Sequence, residues 1–138
     1  KIVEMLLPKA QRSLSKRQQI PEEKAGEYLE KLKNALEQEQ VYLQNDLTQK
    51  QLATYLDIPA HQLTYLVKEH FQKNFNELIN QYRVEKAKSL LTNPDTANNT
   101  IYGIALDSGF NSESVFYKVF KELTGYTPKE FKKTGSDL

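Results

Sequence analysis

The sequence predicts an all-α protein built from two helix-turn-helix units, and three observations support this prediction. Apolar residues recur at three- and four-residue spacing, which is the period of helices with one buried face. Gly and Pro are scarce, at five each in 138 residues, and no runs of β-branched residues occur. Residues 53–78 are echoed by residues 105–131, with an offset of 52 that becomes 53 after one inserted residue. A repeated helix-turn-helix is the simplest explanation.

The first 47 residues are predicted to be a linker followed by a lead-in helix. Residues 1–20 lack a sustained apolar period and carry a polar cluster, so we expect a linker, with room for a short helix, from an upstream region of a longer protein. Pro21 favours a first helical turn, and the helix within the lead-in segment 21–47 is expected to reach about Val41. Its apolar face either packs on the domain or forms a short dimerising coiled coil. That face comprises Ala25, Tyr28, Leu29, Leu32, Leu36 and Leu43.

The first helix-turn-helix unit is predicted over residues 48–74. Thr48 and Gln51 have the spacing of a capping box, which starts a short helix over about 49–56. Asp57 lies where the chain must turn, and Asp tolerates positive φ better than most residues. A longer helix is expected over about 60–72.

A connecting helix and a second unit follow. Asn74 and Glu77 predict the cap of a helix over about 75–92, which ends before Asn93-Pro94. The second unit, 99–134, should contain a short helix, a turn at Ser108-Gly109 and a longer helix over about 112–124. The segment TPKE that begins at residue 127 then starts a closing helix.

Each longer helix of the repeat has one apolar and one polar face. The apolar faces are expected to pack inward and comprise Leu63, Leu66 and Val67 in the first copy, and Phe116, Val119 and Phe120 in the second. The polar faces comprise His61, Gln62, Thr64, Tyr65 and Lys68, and then Glu113, Ser114, Tyr117, Lys118 and Lys121. The outer faces are therefore the candidate binding surface.

Composition excludes several kinds of protein. No stretch approaches the roughly 20 apolar residues of a membrane span, and the lack of Cys removes disulfides and thiolate metal sites. His61 and His70 point to opposite sides of one helix, so we expect no zinc site and no cofactor. No nucleophile elbow or phosphate-binding loop occurs, so an enzyme is not expected. Net charge is only +1, although residues 114–133 hold five lysines against two glutamates.

The stretch GFNSESVFYKVFKELTGYTPKEF, residues 109–131, resembles the C-terminal DNA-binding domain of the AraC/XylS transcription regulators. The resemblance covers about residues 44–134 and includes the earlier landmarks LTQKQLATYLDIPAHQLTYLVKEHF and NFNELINQYRVEKAKSLL. It implies two homeodomain-like subdomains joined by a connecting helix roughly 25 Å long. The two recognition helices, about 60–72 and 112–124, would then read major-groove segments about 34 Å apart.

The resemblance also implies roles for individual residues. Bases would be faced by His61, Gln62, Thr64, Tyr65, Ser112, Glu113, Ser114, Tyr117 and Lys118. DNA phosphates would be contacted by Lys68, Arg83, Lys121, Lys129, Lys132 and Lys133. Neither recognition helix contains Arg, the strongest guanine reader, so moderate affinity is expected.

The partner implied by the resemblance is double-stranded promoter or operator DNA, with RNA polymerase as a second partner. Homodimerisation or attachment to the inner membrane would occur only through a region upstream of residue 1, and the domain itself is expected to be cytoplasmic. A helical protein–protein interaction module is the alternative, because the net charge is nearly neutral. The salt dependence of the binding affinity distinguishes the two hypotheses, since only the affinity for DNA should fall steeply as the salt concentration rises.

Overall fold

The computed structural model describes residues 20–96 and 98–135, and all regular structure in these residues is helical, as predicted. The predicted linker 1–20 lies outside the described residues except for Ile20, which is buried. Single turns of 3-10 helix occur at Val41–Leu43 and Pro94–Thr96. The α-helices are α1 (Glu22–Glu37), α2 (Gln49–Leu56), α3 (Ala60–Phe71), α4 (Phe75–Thr92), α5 (Ile101–Asp107), α6 (Glu113–Thr124) and α7 (Pro128–Gly135).

Local signals in the sequence set most helix starts. At α2 the Thr48 hydroxyl accepts from the backbone amide of Gln51, and the Gln51 side chain accepts in return from the amide of Thr48. The same reciprocal pairs occur at the starts of α4 and α7. Each box satisfies amides that the first helical turn leaves without a partner. The predicted starts of these three helices are confirmed.

The end of α1 differs from the prediction, because the helix stops at Glu37 rather than near Val41. Gln40 adopts a left-handed conformation with φ of 52°, which turns the chain back towards the domain. Tyr42 is thereby buried, with its ring centroid 5.5 Å from that of Tyr82 on α4. Burial of this aromatic ring outweighs continuation of the helix through a polar stretch.

The helices enclose two hydrophobic cores that share α4. The first core collects α1, α2, α3 and the N-terminal half of α4, including Leu78 and Ile79. The second core collects α5, α6 and the C-terminal half of α4, including Val84, Ala87 and Leu91. Phe131 of α7 packs against the second core. One helix therefore forms a wall of both units and connects them.

The lead-in helix α1 is an integral part of the first core. Tyr28, Leu32, Ala35 and Leu36 are buried in it. The apolar face on which a dimerising coiled coil would depend is thus occupied within the chain. The first of the two predicted arrangements is therefore the one observed, because this face packs on the domain.

The turns of the two helix-turn-helix units have the expected positive φ. Asp57 has φ of 56° and Gly109 has φ of 102°. The residues that follow them, Ile58 and Phe110, are buried in the first and second core respectively. Each turn is therefore anchored by the apolar residue after it.

Candidate nucleic-acid interface

The outer face of α3 is largely open to solvent. His61, Thr64 and Lys68 are exposed, whereas Gln62 and Tyr65 are half-buried. The opposite face is sealed in the first core by Leu63, Leu66 and Val67, as the sequence predicts. The predicted base-facing residues of this helix therefore share one side, but they differ in accessibility.

Several polar atoms on this face are engaged within the unit. The Thr64 hydroxyl donates to the carbonyl of Ala60 over 3.1 Å and accepts from the side-chain amide of Gln49 on α2. The Tyr65 hydroxyl donates to the Glu69 carboxylate over 3.4 Å, and burial, ahead of this carboxylate, raises the pKa of the phenol. The Oε1 atom of Gln62 is buried without a hydrogen-bond partner. His61 and Thr64 are the exposed members of the predicted base-facing set on α3, and the Thr64 hydroxyl is already hydrogen-bonded.

The outer face of α6 is more open. Glu113, Ser114 and Lys118 are exposed, while Tyr117 is half-buried with its ring 6.2 Å from that of Phe116. Ser112 caps the helix, because its hydroxyl accepts from the amide of Val115 over 3.3 Å. Ser112 also shares a 2.9 Å hydrogen bond with the Ser114 hydroxyl. The Ser112 side chain is thus engaged at the helix start, and the Ser114 hydroxyl is bonded to it.

The two recognition helices begin differently. The first helical residue of α3 follows Pro59, which makes no side-chain cap, whereas α6 has the Ser112 cap. Val115, in the first turn of α6, is 47% exposed although it is apolar. An exposed aliphatic side chain there is suited to contact a thymine methyl group. Sequence reasoning missed Val115 because it lies between the two helix faces; its place in the first turn was the only signal.

Most of the predicted phosphate-contacting lysines are accessible. Lys68 and Lys121 lie on the outer faces of the recognition helices and are exposed, as are Lys129 and Lys133 on α7. Lys132 is half-buried. Four of these five lysines belong to the second unit, one on α6 and three on α7.

Arg83 is placed differently from the role predicted for it. Its Nε donates to the carbonyl of Tyr42 over 2.7 Å, and its Nη2 donates to the carbonyl of Gln44 over 2.9 Å. The guanidinium carbon lies 6.0 Å from the ring centroid of Phe110, and burial lowers the pKa of Arg83. Two of its nitrogens are thus bonded between the two units rather than directed at a phosphate. We therefore remove Arg83 from the phosphate-contacting set.

A second contact between the units was also missed by sequence reasoning. The Asn45 side-chain amide donates to the carbonyl of Phe110 over 2.8 Å and approaches that of Leu106 at 3.4 Å. Asn45 has no counterpart in the repeat, so the internal comparison gave no signal for it. Contacts between repeats are not encoded by the similarity of the repeats.

The described part of the chain offers neither a metal cluster nor a membrane span. Over residues 20–96 and 98–135, no group of three or more His, Cys, Asp or Glu side chains is arranged to hold a metal ion. Over the same residues, every helix is too short or too polar to cross a membrane.

Comparison with known proteins supports the resemblance seen in the sequence. The AraC-type helix-turn-helix domain matches residues 52–134, which is more than half of the chain. An HTH-type transcriptional regulator of Staphylococcus aureus is 32% identical over 93 residues, which is 67% of this chain and 12% of that protein. The chain thus spans only a small part of this relative.

Two solved structures are also similar. The C-terminal domain of the two-component response regulator yesN from Fusobacterium nucleatum is 32% identical with a TM-score of 0.61, over 68% of this chain and 88% of that one. The C-terminal domain of AraT, a response regulator from Geobacillus stearothermophilus, is 28% identical with a TM-score of 0.63, over 69% and 76% respectively. This chain belongs to the AraC-type helix-turn-helix family of transcription regulators, whose domains bind DNA and are not enzymes.

Proposed function

We propose that this chain is the output domain of a bacterial transcription regulator and reads specific sequences with α3 and α6 in successive major-groove segments of one duplex. The observation that carries the proposal is that both helices bury one face in separate cores and leave the equivalent faces open to solvent. The connecting helix α4 has 18 residues, or about 27 Å at ~1.5 Å per residue. That length is comparable to the ~34 Å repeat of B-DNA. One chain would thereby make the contacts of a helix-turn-helix dimer.

The base contacts are assigned by chemistry and accessibility. Lys118 is suited to guanine, Glu113 to the cytosine amino group and Val115 to a thymine methyl. In the first unit His61 donates a hydrogen bond to a base or stacks on one, and Gln62 pairs with adenine after its side chain turns outward. The half-buried rings of Tyr65 and Tyr117 offer edges to bases, while Thr64, Ser112 and Ser114 add weaker polar contacts. The second unit then contributes more of the sequence discrimination than the first.

The phosphate contacts come from the lysines around the recognition helices. We assign Lys68 to the first unit and Lys121, Lys129, Lys132 and Lys133 to the second. Such contacts fix the register of the protein on the duplex without reading its sequence. Their number also sets the salt dependence of binding, with a slope of about −0.9 in log affinity per phosphate neutralised.

Selection of bound duplexes from a random pool tests the proposal. We expect a motif with two boxes about ten base pairs apart, because adjacent major-groove segments recur at each helical turn. A single box, or no enrichment, would contradict simultaneous reading by both helices.

Two lysine substitutions on α6 separate specificity from general affinity. Lys118→Ala should weaken binding by ~1–3 kcal/mol and relax the preference at one base position. Lys121→Ala should weaken binding to all duplexes alike and reduce the salt slope by about 1. The two variants are matched, since both remove an exposed lysine from the same helix face. If the two variants showed the same effects, the assignment of distinct roles would be wrong.

The alternative is that the same faces bind a partner protein. The near-neutral net charge of +1 is the observation that favours this alternative. A binding curve that hardly changes with salt would favour that alternative. Contact with RNA polymerase, dimerisation through an upstream region, a cytoplasmic location and a membrane tether stay predictions about the whole protein.

A further inference from the structure

The middle of α4 is the longest stretch of that helix without a buried side chain. Its buried residues are Phe75, Leu78, Ile79, Val84, Ala87 and Leu91. The first three face the first core or its edge, and the last three face the second core. Residues 80–83 lie between the cores, with each of their side chains at least partly exposed. If α4 were the only connection, bending in this gap would let the second unit rock against the first.

A short segment between α1 and α2, which contributes Tyr42 to the first core, spans this gap. Residues 42–45 follow α1 and lie beside the turn of the second unit. Arg83 in the gap donates to the carbonyls of Tyr42 and Gln44, over 2.7 and 2.9 Å, and its guanidinium lies near the Phe110 ring. Asn45 donates to the carbonyl of Phe110 over 2.8 Å. We call Arg83, Asn45 and the segment 42–45 the inter-unit clamp.

Gly109 shows how closely the clamp approaches the second unit. A Cβ atom at this position would lie 2.2 Å from the Tyr42 carbonyl oxygen and 2.8 Å from the Arg83 Nε. At the equivalent turn of the first unit stands Asp57, whose side chain is exposed. The turn of the second unit therefore requires glycine because the clamp packs against it, whereas the exposed turn of the first unit accepts Asp57.

Resting on the proposed function, we propose that the inter-unit clamp holds the two recognition helices at a fixed distance and angle, and so sets the base-pair spacing between boxes that the protein accepts. The clamp acts on the turn that precedes α6, so its geometry fixes where α6 enters the groove relative to α3. Each added base pair moves the second box by about 3.4 Å and rotates it by about one-tenth of a turn. A rigid connection favours one such arrangement, whereas a flexible one accepts several. Arg83 and Asn45 are therefore positioning residues that touch no DNA.

The test measures binding of the full chain to duplexes in which two selected boxes are separated by eight to thirteen base pairs, and to a duplex with one box. We expect the wild-type protein to prefer one spacing by about 10-fold over spacings two base pairs away. Arg83→Gln and Asn45→Ala should reduce that preference to about 3-fold or less, with single-box affinity changed by less than about 2-fold. Gln81→Ala is the matched control, because it changes an exposed side chain in the same gap of α4 and leaves the clamp intact.

Outcomes of this test separate the clamp from the proposed function. An unchanged spacing profile in folded Arg83→Gln and Asn45→Ala variants, with single-box binding intact, would overturn the clamp alone. Failure of the wild-type protein to bind any box would overturn the proposed function and this inference with it. Asn45→Ala keeps the test valid if Arg83→Gln fails to fold, because Asn45 is exposed and its truncation leaves both cores intact.

Discussion

Replacing Gly109 with Ala tests the close approach between the two units. The substitution puts a side chain on a residue with φ of 102°, which costs about 1–2 kcal/mol for an L-residue. The new Cβ would also meet the Tyr42 carbonyl oxygen at 2.2 Å, so the segment 42–45 must shift and lengthen its bond to Arg83. Loss of a charge-assisted hydrogen bond costs about 1.5–3 kcal/mol. Gly109→Ala should therefore lower the free energy of unfolding by about 2.5–5 kcal/mol.

Gly125→Ala supplies the matched control for this prediction. Gly125 also has positive φ, at 84°, but nothing lies within 4 Å of the place that a Cβ atom would take there. Gly125→Ala should therefore lower the free energy of unfolding only by the backbone contribution of about 1–2 kcal/mol. Urea denaturation of both variants with unchanged m-values measures the difference. Equal losses in the two variants would refute the argument, since they would show that the approach of Tyr42 costs nothing.

Three further changes test other parts of the structure. Leu32→Ala removes a fully buried side chain of α1 and should destabilise the protein by about 2–5 kcal/mol. The control Val115→Ala changes an exposed residue and should cost less than about 0.5 kcal/mol. A loss that small for Leu32→Ala would argue against the place of α1 in the first core. Gly26→Ala adds a methyl group where nothing lies within 4 Å in a helix interior and should stabilise by about 0.5–1 kcal/mol in the same denaturation assay. Hydrogen bonds from Thr127 lower the pKa of Glu130 below its ordinary value of 4.5, so its charge stabilises the fold above that pH and this contribution is lost as pH falls through the lowered pKa. Glu130→Gln should remove that part of the acid dependence, and parallel stability–pH curves for the two proteins would contradict it.

The sequence predicted the helices well because their signals are local. The capping boxes at Thr48, Asn74 and Thr127 and the positive-φ positions at Asp57 and Gly109 depend on residues close in the chain. The repeat then supplied the arrangement of two similar units, and helical periodicity separated buried from exposed faces on α3 and α6.

The sequence was less informative where distant segments meet. The end of α1 depends on Gln40 adopting positive φ so that Tyr42 can be buried, and glutamine has no special preference for that conformation. The resemblance implied that Arg83 contacts phosphate, whereas its hydrogen-bond partners are carbonyls 39 and 41 residues away in the chain. Likewise, the buried Oε1 of Gln62 results from neighbours that no spacing rule identifies.

The place of α1 in the first core affects how this protein can be divided into fragments. The matched helix-turn-helix region starts at residue 52, but Tyr28, Leu32 and Leu36 belong to the same core as Leu52. A fragment trimmed to the matched region would expose the apolar surface that these side chains cover, and poor solubility would follow. Exchanging α1 between related regulators would likewise require compatible core residues on both sides of the junction, because the exchanged helix brings half of a packed surface with it.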